Sequence, residues 1–502
     1  MSLLGIDVGT TGAKAIVFGL DGAALGQGYR EYPHIFPRPG WVEMDSDEVW
    51  SATQEAIAEA VSRAGRRDQV KALAVSSQGE GITPLAPDGK ALANTIVSFD
   101  SRTTPQSQWW ERQFGKRKLF EITGLPLSPM YSINKIMWWR DNQPQLFARA
   151  WKFLCYEDFT AFRLGAEPTI DYSLAGRTMA FDLRAQRWSD EILAAAGVEP
   201  ERLAAVAPSG VLIGRVRDDV AQELGLPRGV AIVTGGHDQP CGALGSGVIE
   251  PRAAVDATGT VECITPAFSE LKLSDAMLES NYSCYHHVVP GMYITLAFNF
   301  TGGSLLRWYR DTLGKQERED AEAAGMDVYE MMIGLATRGP SPVMVLPHFA
   351  LPATPWNDPH SKGVILGLTL ATTKGDIIKA LLDGVTLEMR LNLDYLEKAG
   401  VVVERLRAIG GGAKSPTWLQ LKADIFNRPV LSLSVSEAAC LGAALLAGAA
   451  IGEYASLSEA VNLTIHITKT YEPDPHMVAR YAERYEIYRQ LYPALRELLH
   501  AL

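Results

Sequence analysis

Asp7-Val8-Gly9-Thr10-Thr11-Gly12-Ala13-Lys14 sets an acid, two hydroxyls and a lysine around a tight glycine turn. Glycines let backbone N–H groups approach an anion, threonines add donors, Lys14 adds positive charge, and Asp7 can hold Mg²⁺ directly or through water. The segment is a candidate phosphate cradle. It is not a Walker loop, because that spacing is absent and a strand rather than a helix follows; the plain alternative is a Gly/Thr hairpin turn. A second glycine run, Ile409-Gly410-Gly411-Gly412-Ala413-Lys414-Ser415, follows an apolar stretch and opens a helix. Its N–H groups can bind an anion, or its bare backbone can lie against a flat base. In a third, Thr234-Gly235-Gly236-His237-Asp238-Gln239, Asp238 stands where the apolar strand Val230 to Val233 ends and a helix begins. An acid there is either a helix cap or a group presented for chemistry.

The elements that position these residues read as a β-β-β-α-β opening. Strands are expected at Leu3 to Val8, Lys14 to Phe18 and Ala24 to Tyr29, with Asp21-Gly22 as the second turn. A helix follows from about Asp47 to Ala64, capped by Asp45 or Ser46, then a buried strand, Val70 to Ser76. A weaker copy of the opening recurs half a chain later: strand Arg252 to Asp256, turn Ala257-Thr258-Gly259-Thr260, return strand Val261 to Thr265. In both copies an acid closes a strand before a Gly/Thr turn, which suggests two similar halves. Further helices are expected at Ser304 to Leu313, Lys374 to Ala399 and Ser415 to Phe426, and the Gly-rich stretch Gly242 to Arg252 is the expected boundary.

The chain has 502 residues, 47% hydrophobic and 21% charged, which fits two to four globular domains and excludes disordered or collagen-like readings. A net charge of -11 gives no electrostatic reason to expect nucleic acid as a partner. Five cysteines without C-x-x-C spacing fit a reducing, cytoplasmic compartment. Asp7 interrupts any signal-like run at the start, and the longest apolar stretch, Ala438 to Gly452, is shorter than a bilayer span, so a soluble chain is expected with no membrane partner.

Taken in order, the segments Asp7–Lys14, Gly235–Gly247, Asp256–Thr260 and Gly410–Val430 resemble the FGGY carbohydrate kinases, and the resemblance runs from Leu3 to about Tyr454. It implies an α/β fold of two ribonuclease H-like domains, as in actin and the sugar kinases, with the active site in the cleft between them. Residues 1–246 would hold the sugar and the first phosphate loop, and residues 247–502 the nucleotide. The implied reaction is transfer of the ATP γ-phosphate, with Mg²⁺, to a hydroxyl of a small open-chain sugar, a ketopentose such as xylulose. The alternatives are a polyol kinase (erythritol, pentitol or glycerol type) or an actin/Hsp70-like ATPase without sugar chemistry.

By position, the resemblance gives Asp7 to Mg²⁺ and Gly9, Thr10, Thr11 and Lys14 to the first phosphate loop. Gly259 and Thr260 fall in the second phosphate loop, and Gly411, Gly412, Ala413 and Ser415 in the nucleotide-binding turn. Asp238 matches the general base, a role suited to a carboxylate beside the acceptor hydroxyl. Gln78, Glu80, Asp100, Arg102, Asp238 and Gln239 match substrate contacts. Glycerol kinases carry arginine where Gly79 stands and tyrosine where Met130 stands, which argues against glycerol. Xylulose kinases usually read Gln-Met-His where this chain has Gln78-Gly79-Glu80. The room left by Gly79 suggests a ketopentose or a four- to six-carbon polyol. Beyond the substrate, the expected partner is at most a second copy of the chain, as a homodimer.

Other conspicuous residues read as structural. Tyr481, Tyr485, Tyr488 and Tyr492 share one helix face, a packing stripe. His286-His287 lacks a ligand partner at metal spacing, and Trp109-Trp110 and Trp138-Trp139 read as core. His237 reads as a structural histidine or one that orients Asp238. The small residues after Glu437 permit close helix packing.

Overall fold

The computed structural model describes residues 1–65, 69–350, 352–435 and 437–502. Each half of the chain builds one open sheet. In the first, Ser2–Val8, Gly12–Gly19 and Ala24–Glu31 form an antiparallel meander. Val70–Ser77 and Ala231–His237 then add in parallel beyond Ser2–Val8, and Leu212–Arg215 closes the edge antiparallel. In the second, Ala253–Thr258, Glu262–Phe268 and Ala297–Asn299 repeat the meander. Arg405–Gly410 and Val430–Leu433 add in parallel, and Ile467–Tyr471 closes the edge antiparallel. The half-chain repeat therefore extends over six strands of each sheet, in the order of a ribonuclease H-like domain.

Small differences from the sequence reading have local causes. The second hairpin runs Ala253–Thr258 and Glu262–Phe268, so Ala257 and Thr258 are strand rather than turn; Thr258 pairs with Glu262 and only Gly259, Thr260 and Val261 bend. The first helix is Ser46–Ala64, capped by Asp45, whose carboxylate accepts from the N–H groups of Asp47 and Glu48. It lies close along the third strand because that strand offers glycine: a Cβ on Gly26 or Gly28 would sit 2.1 Å from a helix carbonyl oxygen, Ala60 or Ala56.

The other face of the first sheet is covered by a helix from the far end of the chain, Ala438–Ala450. Three glycines permit this approach. A Cβ on Gly5 would lie 1.8 Å from the Cys440 carbonyl oxygen, one on Gly442 1.9 Å from that of Cys241, and one on Gly245 1.8 Å from that of Ala438. Helices Asp238–Gly245 and Ala438–Ala450 thus cross with bare backbone on both sides, so the expected close packing after Glu437 is present and links the two halves.

The tyrosine stripe lies on a longer helix than expected, Pro475–Ala501, and is buried. Each hydroxyl donates to a different carboxylate, Tyr481 to Asp383, Tyr485 to Asp394, Tyr488 to Glu388 and Tyr492 to Asp358, which docks this helix on Lys374–Lys398 and its surroundings. His286 and His287 are buried, not on the surface, and face the carbonyl oxygens of Leu183 and Val248. All five cysteines are buried and unpaired. Among the described residues no helix is long and apolar enough to cross a membrane.

Candidate active site

Parallel strands deliver the functional side chains at their carboxyl ends, where an open α/β sheet leaves room for ligands. In the first sheet Asp7, Ser76 and Gly236 lie side by side in register on three neighbouring strands, and Asp238 follows two residues beyond Gly236. Asp238 is the first residue of its helix, and His237 occupies the cap position with no side-chain cap bond. The carboxylate is therefore not consumed as a cap. Its side chain is 31% exposed, and its Oδ1 has no hydrogen-bond partner although His237 Nε2 lies 3.2 Å away, out of line for one.

Burial, and secondarily the negative charge of Asp7, pushes the Asp238 carboxyl up to about 7. Asp7 is likewise raised to about 6 by burial, against the opposing effect of Ser76, whose hydroxyl donates to Asp7 Oδ1 at 2.8 Å. Among the described residues neither carboxyl is ion-paired with a lysine or arginine; Lys14, whose charge acts on Asp7 from a distance, pairs with Glu437 at 2.6 Å. This donor set suits a hard divalent cation, since Mg²⁺ binds through one or two carboxylates and keeps water and phosphate oxygens for the rest. Among the described residues no group of three or more His, Cys, Asp or Glu side chains forms a complete protein cage.

Close enough to Asp238 for the Glu80 charge to act on it lies a buried polar cluster built largely by residues the sequence reading missed. Glu80 has a left-handed backbone, φ 63°, rare for a residue with a Cβ. Its carbonyl oxygen is held by Lys135 Nζ at 2.6 Å and the Ser132 hydroxyl at 3.1 Å, and its carboxylate by Arg177 Nε at 2.7 Å. Burial lowers the Lys135 ammonium to about 8. The Arg177 guanidinium lies 5.5 Å from the Tyr131 ring and 5.1 Å from the Tyr285 ring, while the Tyr285 hydroxyl is 3.1 Å from His237 Nδ1. Tyr285 belongs to the second half, so that half reaches into this cluster of the first. Lys135 was findable: it interrupts the apolar helix Ser132–Asn142, where an unpaired lysine is not expected. Arg177 gives no such signal.

The room expected at Gly79 is not there. A Cβ at Gly79 would lie 2.8 Å from His237 Nε2, so the glycine accommodates the imidazole rather than widening the pocket. Burial beside Arg177 keeps that imidazole neutral. Gln78 Nε2 donates to the Gly9 carbonyl at 2.8 Å, which ties it to the first glycine turn, and its Oε1 is buried without a partner among the described residues. Asp100 and Arg102 are buried and committed to each other. Asp100 accepts from Arg102 Nε at 2.9 Å and Val42 N at 2.6 Å, and Arg102 also pairs with Glu43 at 2.8 Å and stacks 4.0 Å from Trp41. Gln239 adjoins Asp238 and steadies its charge by a hydrogen bond.

The second sheet supplies turns of bare backbone. Gly259 and Thr260 accept through their carbonyl oxygens from the N–H groups of Gly303 (2.9 Å), Gly302 (3.1 Å) and Ser304 (3.2 Å) at the head of helix Gly303–Thr312. That Gly302-Gly303 pair also escaped the sequence reading. A Cβ on Gly259 would meet nothing within 4 Å, so this face is open. Gly410, at φ 83°, starts the turn Gly411–Lys414, and Ser415 caps the following helix by accepting from Trp418 N at 3.3 Å. The Cβ position of Gly412 is blocked at 2.6 Å by the Thr258 side chain, whereas that of Gly411 is nearly free. Burial raises the Cys263 thiol of this sheet, with a smaller contribution from the charge of Asp238 in the other half.

Comparison with known proteins agrees with the fold. Residues 2–245 match the model of the N-terminal domain of the FGGY family of carbohydrate kinases, and residues 257–451 match that of its C-terminal domain. The chain is 27% identical to a xylulose kinase of Bacillus subtilis over 100% of its own length and 98% of that protein's. It is 32% identical to a glycerol kinase of Bordetella parapertussis, covering 94% of this chain and 92% of that one. The structure of a gluconate kinase from Lactobacillus acidophilus superimposes with a TM-score of 0.90 at 25% identity, covering 98% of each chain.

Proposed function

The chain belongs to the FGGY family of carbohydrate kinases, ATP-dependent phosphotransferases with an alcohol acceptor, and from that premise we propose how its own residues carry the reaction and on which substrate. Family membership sets aside the ATPase without sugar chemistry. The acceptor is an open-chain ketopentose such as xylulose, held mainly by residues 1–246. Gln78, the Glu80–Arg177 pair and Gln239 meet its hydroxyls in the pocket that Tyr131 and Tyr285 flank, and Asp100 with Arg102 shapes the wall behind. A polyol needs several convergent donors and acceptors, and this set supplies them.

Asp238 takes the proton of the attacking hydroxyl. Its raised carboxyl suits a general base working near neutral pH. Residues 247–502 hold ATP: Gly411, Gly412 and Ala413 lie against the base or ribose, Ser415 shapes the start of the helix behind them, and the backbone of Gly259 and Thr260 faces phosphate. Gly9, Thr10, Thr11 and Lys14 face the same phosphates from the other side. Asp7 holds Mg²⁺, which would neutralise charge on the transferring group. The residues thus align donor and acceptor and exclude water, with no covalent enzyme intermediate.

The observation that carries this reading is the placing of Asp7 and Asp238 at one sheet edge, both raised by burial and, among the described residues, neither ion-paired with a lysine or arginine. The full-length match to xylulose kinases supports the pentose. A glycerol-type polyol is the second reading, favoured by the match to the Bordetella protein. A panel of ketopentoses, pentitols, erythritol, glycerol and gluconate assayed for ADP release separates them. Xylulose is expected to give the highest kcat/KM, and a higher value for glycerol overturns the pentose assignment.

A further inference from the structure

Behind the second hairpin lies a charged cluster that the reaction does not use. Lys422, from helix Pro416–Phe426, is 1% exposed at its side chain, and its ammonium donates to Asp256 Oδ2 at 2.7 Å, to Glu262 Oε1 and to the Thr258 hydroxyl. All three of its N–H donors are spent. Asp256, Thr258 and Glu262 share one face of the sheet, because Asp256 and Thr258 are two residues apart and Glu262 pairs directly with Thr258. Asp256 Oδ1 and Glu262 Oε2 have no N–H or O–H of another residue to accept. Burial and the adjoining Asp256 raise the Glu262 carboxyl against the opposing charge of Lys422.

Thr258 is where both turns meet. It immediately precedes Gly259, its side chain fills the space beside Gly412, and its carbonyl oxygen sits where a Cβ on Gly410 would lie, at 2.6 Å. We propose that Lys422 is a positioning residue for nucleotide binding: by fixing the Thr258 hydroxyl from behind, it sets the spacing between the Gly259-Thr260 loop and the Gly411-Gly412-Ala413 turn. It does so without touching the ligand. The proposal rests on the reading that these turns hold ATP.

The test uses the full-length chain with four variants, measuring KM for ATP, Kd for ADP by calorimetry and KM for the sugar. Lys422→Met is expected to raise the ATP and ADP constants at least tenfold and leave the sugar KM within twofold. Thr258→Val, which removes only the hydroxyl, is expected to raise them three- to tenfold, and Thr258→Ser to restore them to within twofold of wild type. If Lys422→Met does not fold, the Thr258 pair decides alone. Gly411→Val tests the underlying reading, since its bulk enters only the open face. Loss of ADP binding in Gly411→Val with normal binding in Lys422→Met and Thr258→Val overturns the role of Lys422 alone. Normal binding in all of them overturns the turn assignment as well. A joint rise of sugar and nucleotide constants in Thr258→Val reveals general loosening and also overturns it.

Discussion

The two hairpins that open the two halves share a backbone and differ in what stands behind it. When Asp7 is aligned with Asp256, the strand pairing ends at Val8 with Ala13 in the first hairpin and at Thr258 with Glu262 in the second, and each turn adds one further bond, Gly9 N–H to the Gly12 carbonyl and Gly259 N–H to the Val261 carbonyl. The first acid accepts from a serine hydroxyl and feels Lys14 only at a distance, that lysine being paired with Glu437, while the second is fully buried under a lysine that bonds it directly. A repeated acid is thus left without a bonded cation among the described residues in one copy and held as a structural counter-ion in the other. Environment, not residue type, separates them: an uncompensated carboxylate keeps affinity for protons and cations, whereas a paired buried one is locked in place.

Substitutions at matched positions break this comparison most sharply. Asp238→Asn, at the edge Asp7 shares, should lower kcat by about 10³-fold or more with ADP affinity within twofold, checked by steady-state kinetics and calorimetry. Because folding raises this carboxyl, its charged form destabilises the protein above pH 7. The variant should therefore melt roughly 2 °C or more higher at pH 8, a gain that disappears below about pH 4, where both states are protonated. Retention of most activity would remove Asp238 from the chemistry.

Asp7→Asn and Asp256→Asn should fail differently. The first should cost about 10²-fold or more in kcat with unchanged or higher thermal stability. The second should lose about 3 kcal/mol of stability in denaturant unfolding, because a buried ammonium is left short of its partner. Equal melting behaviour in both would erase the distinction.

A smaller, graded effect is expected with pH. As the base must be ionised, kcat/KM should be full above about pH 7 and fall up to tenfold per unit below it as Asp238 takes up a proton. A flat profile from pH 5 to 8 would contradict the environment described for that carboxyl.

The finest comparison is between glycines. Gly12→Ala drives a Cβ to 2.6 Å from the Arg30 carbonyl oxygen and should cost about 1–3 kcal/mol of stability. Gly259→Ala meets nothing and should leave stability within about 0.5 kcal/mol while raising the KM for ATP a few-fold. An unchanged KM for ATP would show that ligand does not approach that face.

Much of this was legible from residue order. The hairpin turn Asp21-Gly22, the cap at Asp45 and the acid–glycine–threonine repeat are local signals, because turn and cap chemistry depends on neighbours in the chain. The positions of Asp7, Asp238 and the glycine turns followed from the same signals. Arg177, Tyr285 and the Gly302-Gly303 pair did not, since their meaning comes from partners far away in sequence. Gly79 was misread for that reason: a missing side chain looks like space until the ring of His237 is found in it.

By itself the sequence determined that two like halves would each end a strand in an acid beside a glycine turn, which local propensity and hydrophobic patterning suffice to specify. Only the tertiary structure decided which acid is left without a bonded cation among the described residues and which is paired with Lys422, and that the Ala438–Ala450 helix covers the opposite half. Desolvation and charge pairing depend on which surfaces meet in space, and no local pattern encodes that.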